Sequence, residues 1–179
     1  MKISSRQNPW FKRLREAIRE HGGEIVIEGP KPIADALSLR WQPIAIVRRG
    51  LDAAIADREF AFAPELFDAL SETKTSQGVI ALFERPRTPP AALFSRRDSI
   101  VVALDGVQDP GNVGTIVRLA AAFDAAGVAL LPGCADPFGP KAIRASAGAI
   151  LTVPVAPVTA ADLLASGLPL FAAAATARP

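Results

Sequence analysis

The chain has 179 residues, a formal net charge of +2 and a sequence pI near 9.0. Half of its residues are apolar and 21% are charged, the balance of a folded globular protein and not of a disordered chain. The lone cysteine, Cys134, and the lone histidine, His21, exclude an internal disulfide and a Cys/His zinc site, which fits a reducing cytoplasm.

The first twenty residues gather Lys2, Arg6, Lys12, Arg13, Arg15 and Arg19 against Glu16 and Glu20. Such a basic stretch is either a solvated helix face or a surface that meets phosphates. Its sequence has no apolar signal core. Asn8 and Pro9 predict the start of a helix over 9–20, closed by Gly22 and Gly23. A short strand over 24–27, a helix over 31–39, a strand over 43–48, a short helix over 64–71 and a strand over 78–83 follow. The alternation predicts a small layered α/β domain over 1–84. Residues 85–98 hold Pro86, Pro89 and Pro90, which disfavour the interiors of helix and sheet, and read as a linker.

Over 99–179 the alternation is more regular. Apolar strands are predicted over 100–104, 128–131, 150–155 and 168–173, with helices over 112–122, 141–146 and 160–165 between them. Runs that are apolar on both faces and joined by helices predict a parallel sheet covered on both sides. The most apolar stretch, 163–177, is short and holds Gly167 and Pro169, so no membrane span is expected.

The chemistry is expected in 104–118, LDGVQDPGNVGTIVR. It leaves a buried strand and opens a helix, where open α/β sheets take their ligands. Asp109-Pro110-Gly111 predicts a tight turn, with Asn112 as the N-cap and a helix N-terminus that favours an anion. Arg118 leans back over Gly114, which has no side chain, so an open channel is expected to let the guanidinium reach the strand ends. The glycine spacing is neither a dinucleotide fingerprint nor a P-loop. Ser146 has no histidine near it in sequence and is not expected to be a nucleophile. Trp10 and Trp41 are expected to pack and not to stack on bases, and Cys134 to be a small buried group.

The run DGVQDPGNVGTIVRLAAAF resembles the first signature of the SpoU-type (TrmH-like) RNA 2′-O-ribose methyltransferases. Residues 136–149, DPFGPKAIRASAGA, resemble the family's second segment. Ser4 to Pro9, Ile27-Glu28-Gly29 and Thr75 to Val79 are similar to the substrate-binding domain that often precedes the catalytic one. The resemblance implies an α/β protein in two parts. The first is a small ribosomal-protein-like α/β/α unit that binds RNA. The second is a SpoU-type knot fold with a parallel sheet, usually homodimeric, that methylates a ribose hydroxyl of structured rRNA or tRNA from S-adenosylmethionine without a metal. It implies Arg118 as the catalytic arginine, Asn112 beside it and Thr176 against the donor; Lys141 and Arg144 of the second segment, and Arg6, Lys12 and Arg13 of the basic stretch, are expected toward RNA. Asp124 stands where the family usually has Gly, so a local difference in that turn is expected. The family's later Gly-x-Glu and Ser-Leu-Asn segments, which complete the knot and the donor pocket, are not in these residues. The expectation is therefore a fragment inactive by itself, with a non-catalytic structured-RNA-binding module as the alternative.

Overall fold

The computed structural model describes residues 1–20, 22–50, 58–73, 75–96 and 98–173. The first half builds β1 (Lys2–Ile3), α1 (Pro9–Glu20), β2 (Glu24–Glu28), α2 (Pro30–Ser38), β3 (Pro43–Arg49), β4 (Glu59–Phe62), α3 (Pro64–Asp68) and β5 (Val79–Glu84). Asn8 does start α1, with its Oδ1 accepting the Trp10 N–H at 2.9 Å. The five strands form one sheet in the order β1-β4-β3-β5-β2. β5 runs antiparallel to both β2 and β3, whereas β4 is parallel to β1 and β3. β1 and β4 have no counterpart in the sequence reading: two residues make too short a run to carry a period, and β4 is four residues long.

β5 is buried through Val79–Phe83, so its two faces serve two cores. Ile80 and Leu82 meet Phe11 and Leu14 of α1 and Leu66 and Phe67 of α3. Val79, Ala81 and Phe83 face the other way, with Ile33 and Ala36 of α2. Trp10 lies against Phe60, with ring centres 4.6 Å apart, and Trp41 meets Phe83 edge-on at 6.0 Å, so both tryptophans pack.

Glu28 ties this sheet to the loop after α3. Its Oε1 accepts the Ser71 and Thr73 hydroxyls at 2.6 and 2.8 Å. Burial pushes the carboxyl up, but the hydroxyls of Ser71, Ser76 and Thr73 and a backbone N–H outweigh it and hold the group below the usual range. A lowered folded-state value adds stability above the unfolded carboxylate value, and that stability is lost as pH falls through the folded one. Urea midpoints measured from pH 7 to pH 3 should therefore fall less steeply for Glu28→Gln than for the parent. Parallel curves would remove Glu28 from the acid response.

The second half adds α4 (Pro90–Leu93), β6 (Val101–Leu104), α5 (Pro110–Ala122), β7 (Gly127–Leu130), α6 (Pro140–Ala145), a 3₁₀ turn (Ala149–Leu151), β8 (Val155–Pro157) and α7 (Ala160–Ala165). β6, β7 and β8 form a parallel sheet in that order. The prolines of 85–98 do not keep that stretch irregular. Pro90 opens α4, where its missing N–H costs nothing, and Leu93 is fully buried with Ala129 and Ala156.

Two strand expectations fail. Over 150–155 the backbone first makes the 3₁₀ turn, because Gly148 at φ +90° reverses the chain and accepts the Leu151 N–H at 3.0 Å; pairing begins only at Val155. Over 168–173 no strand forms. Neither outer edge of the three-stranded sheet pairs with it, and Phe171 is 94% exposed. Short apolar runs carry strand propensity, but a strand is stabilised by its neighbours. Asp124, in contrast, does what a glycine would. It sits at φ +51° and the Ala125 N–H reaches the Ala120 carbonyl at 2.9 Å, a left-handed helix ending.

The two halves share one apolar cluster that runs from Ile25, Ala81 and Phe83 to Val113, Val117, Ile143 and Ile150. Polar ties reinforce it. Arg85 forks onto Asp136 (2.9 and 2.5 Å) and lies 4.9 Å over the Phe138 ring, and Arg144 approaches Glu72 at 3.6 Å. No helix among the described residues is long and apolar enough to cross a membrane.

Candidate functional site

The carboxyl ends of β6, β7 and β8 lie side by side at Leu104, Leu130 and Pro157. The loops that leave them are bonded to one another. The Leu131 and Ala135 N–H groups donate to the carbonyls of Leu104 (2.9 Å) and Val107 (2.8 Å), and the half-buried Cys134 thiol donates to Leu104 at 3.3 Å. Gly106 and Gly133, both at positive φ, let the two loops touch: a Cβ on Gly133 would stand 3.6 Å from the Gly106 Cα.

α5 starts at this mouth, and Asp109, not Asn112, is its N-cap. The Asp109 Oδ1 accepts the Asn112 N–H at 2.9 Å. Asn112 is the third helical residue, with an exposed side chain that makes no hydrogen bond among the described residues. The signal was present in the sequence, because Pro favours the first helical position and so moves the cap back to the Asp before it. The other carboxylate oxygen of Asp109 accepts Lys141 Nζ at 2.7 Å from the first turn of α6. Lys141 first, then the Asn112 N–H, hold the Asp109 carboxyl below its ordinary value. The helix end expected to await an anion thus already faces a carboxylate of its own chain.

Gly114 does not leave a channel. It is buried under α6, and a Cβ there would lie 2.2 Å from the Ala142 carbonyl oxygen and 2.8 Å from the Ala145 Cβ. The bare position is filled by a neighbouring backbone. Arg118 shares its helix stripe one turn on. It is exposed and has no hydrogen-bond or ion-pair partner among the described residues.

The other sequence candidates fall in two places. Arg6, just before α1, and Lys12, on it, are exposed and unpaired among the described residues. Arg13 donates to Glu24 (Nε to Oε1, 3.0 Å) and lies 5.2 Å from the Trp10 ring centre. Lys141 and Arg144 sit on α6, each facing a carboxylate. Thr176 lies outside the described residues. A cleft of about 380 Å³ runs between the halves at this mouth, with Glu72 on one side and Pro110, Ala135, Asp136, Pro140 and Lys141 on the other. Asp109 and Arg85 were both missed. Nothing local marks Arg85, whose partner Asp136 is 51 residues away.

A model of the SpoU rRNA Methylase family matches residues 99–177, the half that holds this mouth. Over these residues the chain is similar to the SpoU family. A tRNA/rRNA methyltransferase of Synechocystis sp., itself uncharacterized, is 31% identical over 85% of this chain and 60% of its own length. The 23S rRNA (uridine(2479)-2′-O)-methyltransferase of Streptomyces viridochromogenes is 29% identical over 76% of this chain and 51% of its own. The solved AdoMet-bound rRNA methyltransferase of Sinorhizobium meliloti matches at TM-score 0.79 with 28% identity, over 93% of this chain and 67% of that one. The chain therefore spans 60% or less of these two curated relatives. The structural likeness reaches beyond 99–177, since 93% coverage takes in the five-stranded sheet as well.

Proposed function

We propose that this chain belongs to an RNA 2′-O-ribose methyltransferase acting on rRNA or tRNA, with 1–84 as its RNA-binding part, 85–98 as the connection and 99–179 as the SpoU part. One observation carries this reading: the helix that bears Asn112 and Arg118 starts at the carboxyl ends of three parallel strands in the SpoU-matching half. Arg118 is the catalytic residue in this reading. A guanidinium stays protonated at neutral pH, so it acts on the ribose 2′-hydroxyl by favouring the alkoxide, or by gripping the phosphate next to it with two N–H groups. Asn112 offers the same mouth a free side-chain amide. A ribose hydroxyl is a weak nucleophile at neutral pH and needs such help.

S-adenosylmethionine, the donor in this reading, supplies an electrophilic methyl group. Its adenosyl part needs polar partners, and the described strand ends have few to spare. The N–H groups of Leu131, Ala135 and Val158 are already bonded to Leu104, Val107 and Leu130. The described residues fit one wall of a donor site and not a whole one. Of the RNA candidates, Arg6 and Lys12 have no ion-pair partner among the described residues, whereas Arg13, Lys141 and Arg144 reach phosphates only by leaving a carboxylate. A cytoplasmic homodimer completes the proposal, with the exposed Leu119 and Phe123 of the α5 end as apolar surface available to a second copy.

The test is direct. The whole protein to which this chain belongs is purified and incubated with transcribed ribosomal RNA and S-adenosylmethionine, and the RNA is digested to nucleosides. A new 2′-O-methylnucleoside is the expected product. Salt-sensitive RNA binding with no methylated nucleoside would favour a non-catalytic RNA-binding module instead.

A further inference from the structure

The Asp109–Lys141 pair is exposed on both sides, with side chains 48% and 57% accessible. Such pairs add little to stability. Its place is nevertheless specific. One carboxylate joins the first turns of two helices: Oδ1 takes the Asn112 N–H of α5 and Oδ2 takes the Lys141 ammonium of α6. Lys141 stands in the first turn of α6, the end where a helix dipole disfavours a cation, and Asp109 offsets that charge. The backbone makes room for the pair. At Gly111 a Cβ would lie 2.7 Å from the Asp109 carboxylate and 3.4 Å from the Lys141 Cε. One turn deeper, Gly114 presses on the Ala142 carbonyl. α5 is thus held against α6 at two points, one ionic at the mouth and one steric below it. Asn112 lies between those points on the sequence, and Arg118 one turn beyond them.

We propose that Asp109 and Lys141 are positioning residues: together they fix the first turn of α5 against α6 and so set Asn112 and Arg118 toward the RNA, without Lys141 contacting it. This rests on the methyltransferase reading. Small misplacement of a reacting group is costly in turnover even when substrates still bind.

The test uses Asp109→Asn, which keeps an oxygen to cap α5 but loses the charge, and Lys141→Met, which keeps the stem. Each should lower kcat at least about tenfold with KM for RNA and for S-adenosylmethionine within about twofold. The double variant should be no slower than the worse single one, because both remove one interaction. Lys141→Arg should recover most of the turnover lost in Lys141→Met. A higher KM for RNA with unchanged kcat in Lys141→Met would make Lys141 a phosphate contact and overturn the proposal. A second readout does not depend on turnover. In Lys141→Met the Asn112 amide should exchange with solvent severalfold faster, because its acceptor has lost its anchor. Unchanged exchange would sink the positioning role whatever the activity. If the parent methylates no RNA while Lys141→Met still shows the faster exchange, the methyltransferase reading falls and the clamp stands.

Discussion

Gly114→Ala should destabilise the protein by about 2–4 kcal/mol, a large share of the stability of a small domain. Two opposing effects decide the sign. Alanine gains about 1 kcal/mol over glycine in a helix interior. Against this, the new methyl would stand 2.2 Å from the Ala142 oxygen and 3.0 Å from its carbonyl carbon. Those atoms are backbone, and α6 is fixed by Ile143, at 7% exposure, in the shared apolar cluster. No rotamer relieves the contact, so α5 and α6 must part and the buried Val113 and Val117 must shift with them. Urea unfolding measures the change. A stabilised variant would mean that the space over Gly114 is open after all, as the channel expected from sequence required. Gly111→Ala makes a useful contrast: its nearest obstacle is the Asp109 carboxylate, a side chain that can turn away.

Arg118→Ala should reduce methyl transfer by about 10²–10⁴-fold, the usual effect of losing a charged group that acts on the reacting oxygen. The fold should barely respond. The side chain is exposed and unpartnered among the described residues, so the stability change should stay within about 0.5 kcal/mol. Arg118→Lys separates the two roles open to the guanidinium. A point charge still favours an alkoxide but cannot grip a phosphate through a planar fork. Single-turnover methylation at saturating RNA and donor distinguishes them: activity retained by Lys favours charge, activity lost with Lys favours the fork. Normal turnover in Arg118→Ala would take Arg118 out of the mechanism.

Local features were legible because their causes are local. Asn8 and Pro9 start α1, the apolar run before Asp105 is β6, and the helix after Pro110 is α5. The run from Asp105 to Phe123 and the Pro-Lys segment at 140–141 carry the SpoU resemblance in residue identity alone, and the family match covers both. Errors came where the deciding atom belonged to another element. Asn112 and Asp109 are both good caps, and the presence of Pro110 at the first helical position selects Asp109. Residues 150–155 and 168–173 have strand composition, but one spends its donors on a 3₁₀ turn and the other finds no neighbour among the described residues.

The sequence by itself determined the order of helices and strands around the mouth, the parallel character of the second sheet and the segment where the SpoU signature lies. Periodicity, prolines and residue identity act over a few residues, and these features need nothing more. Only the tertiary structure decided what a missing side chain means. Gly114 lacks a Cβ because the Ala142 carbonyl of α6 occupies that space, and the carboxylate of Asp109 faces Lys141 because the two helix starts meet. Those partners lie about thirty residues apart in the chain, and close packing, not local propensity, brings them together.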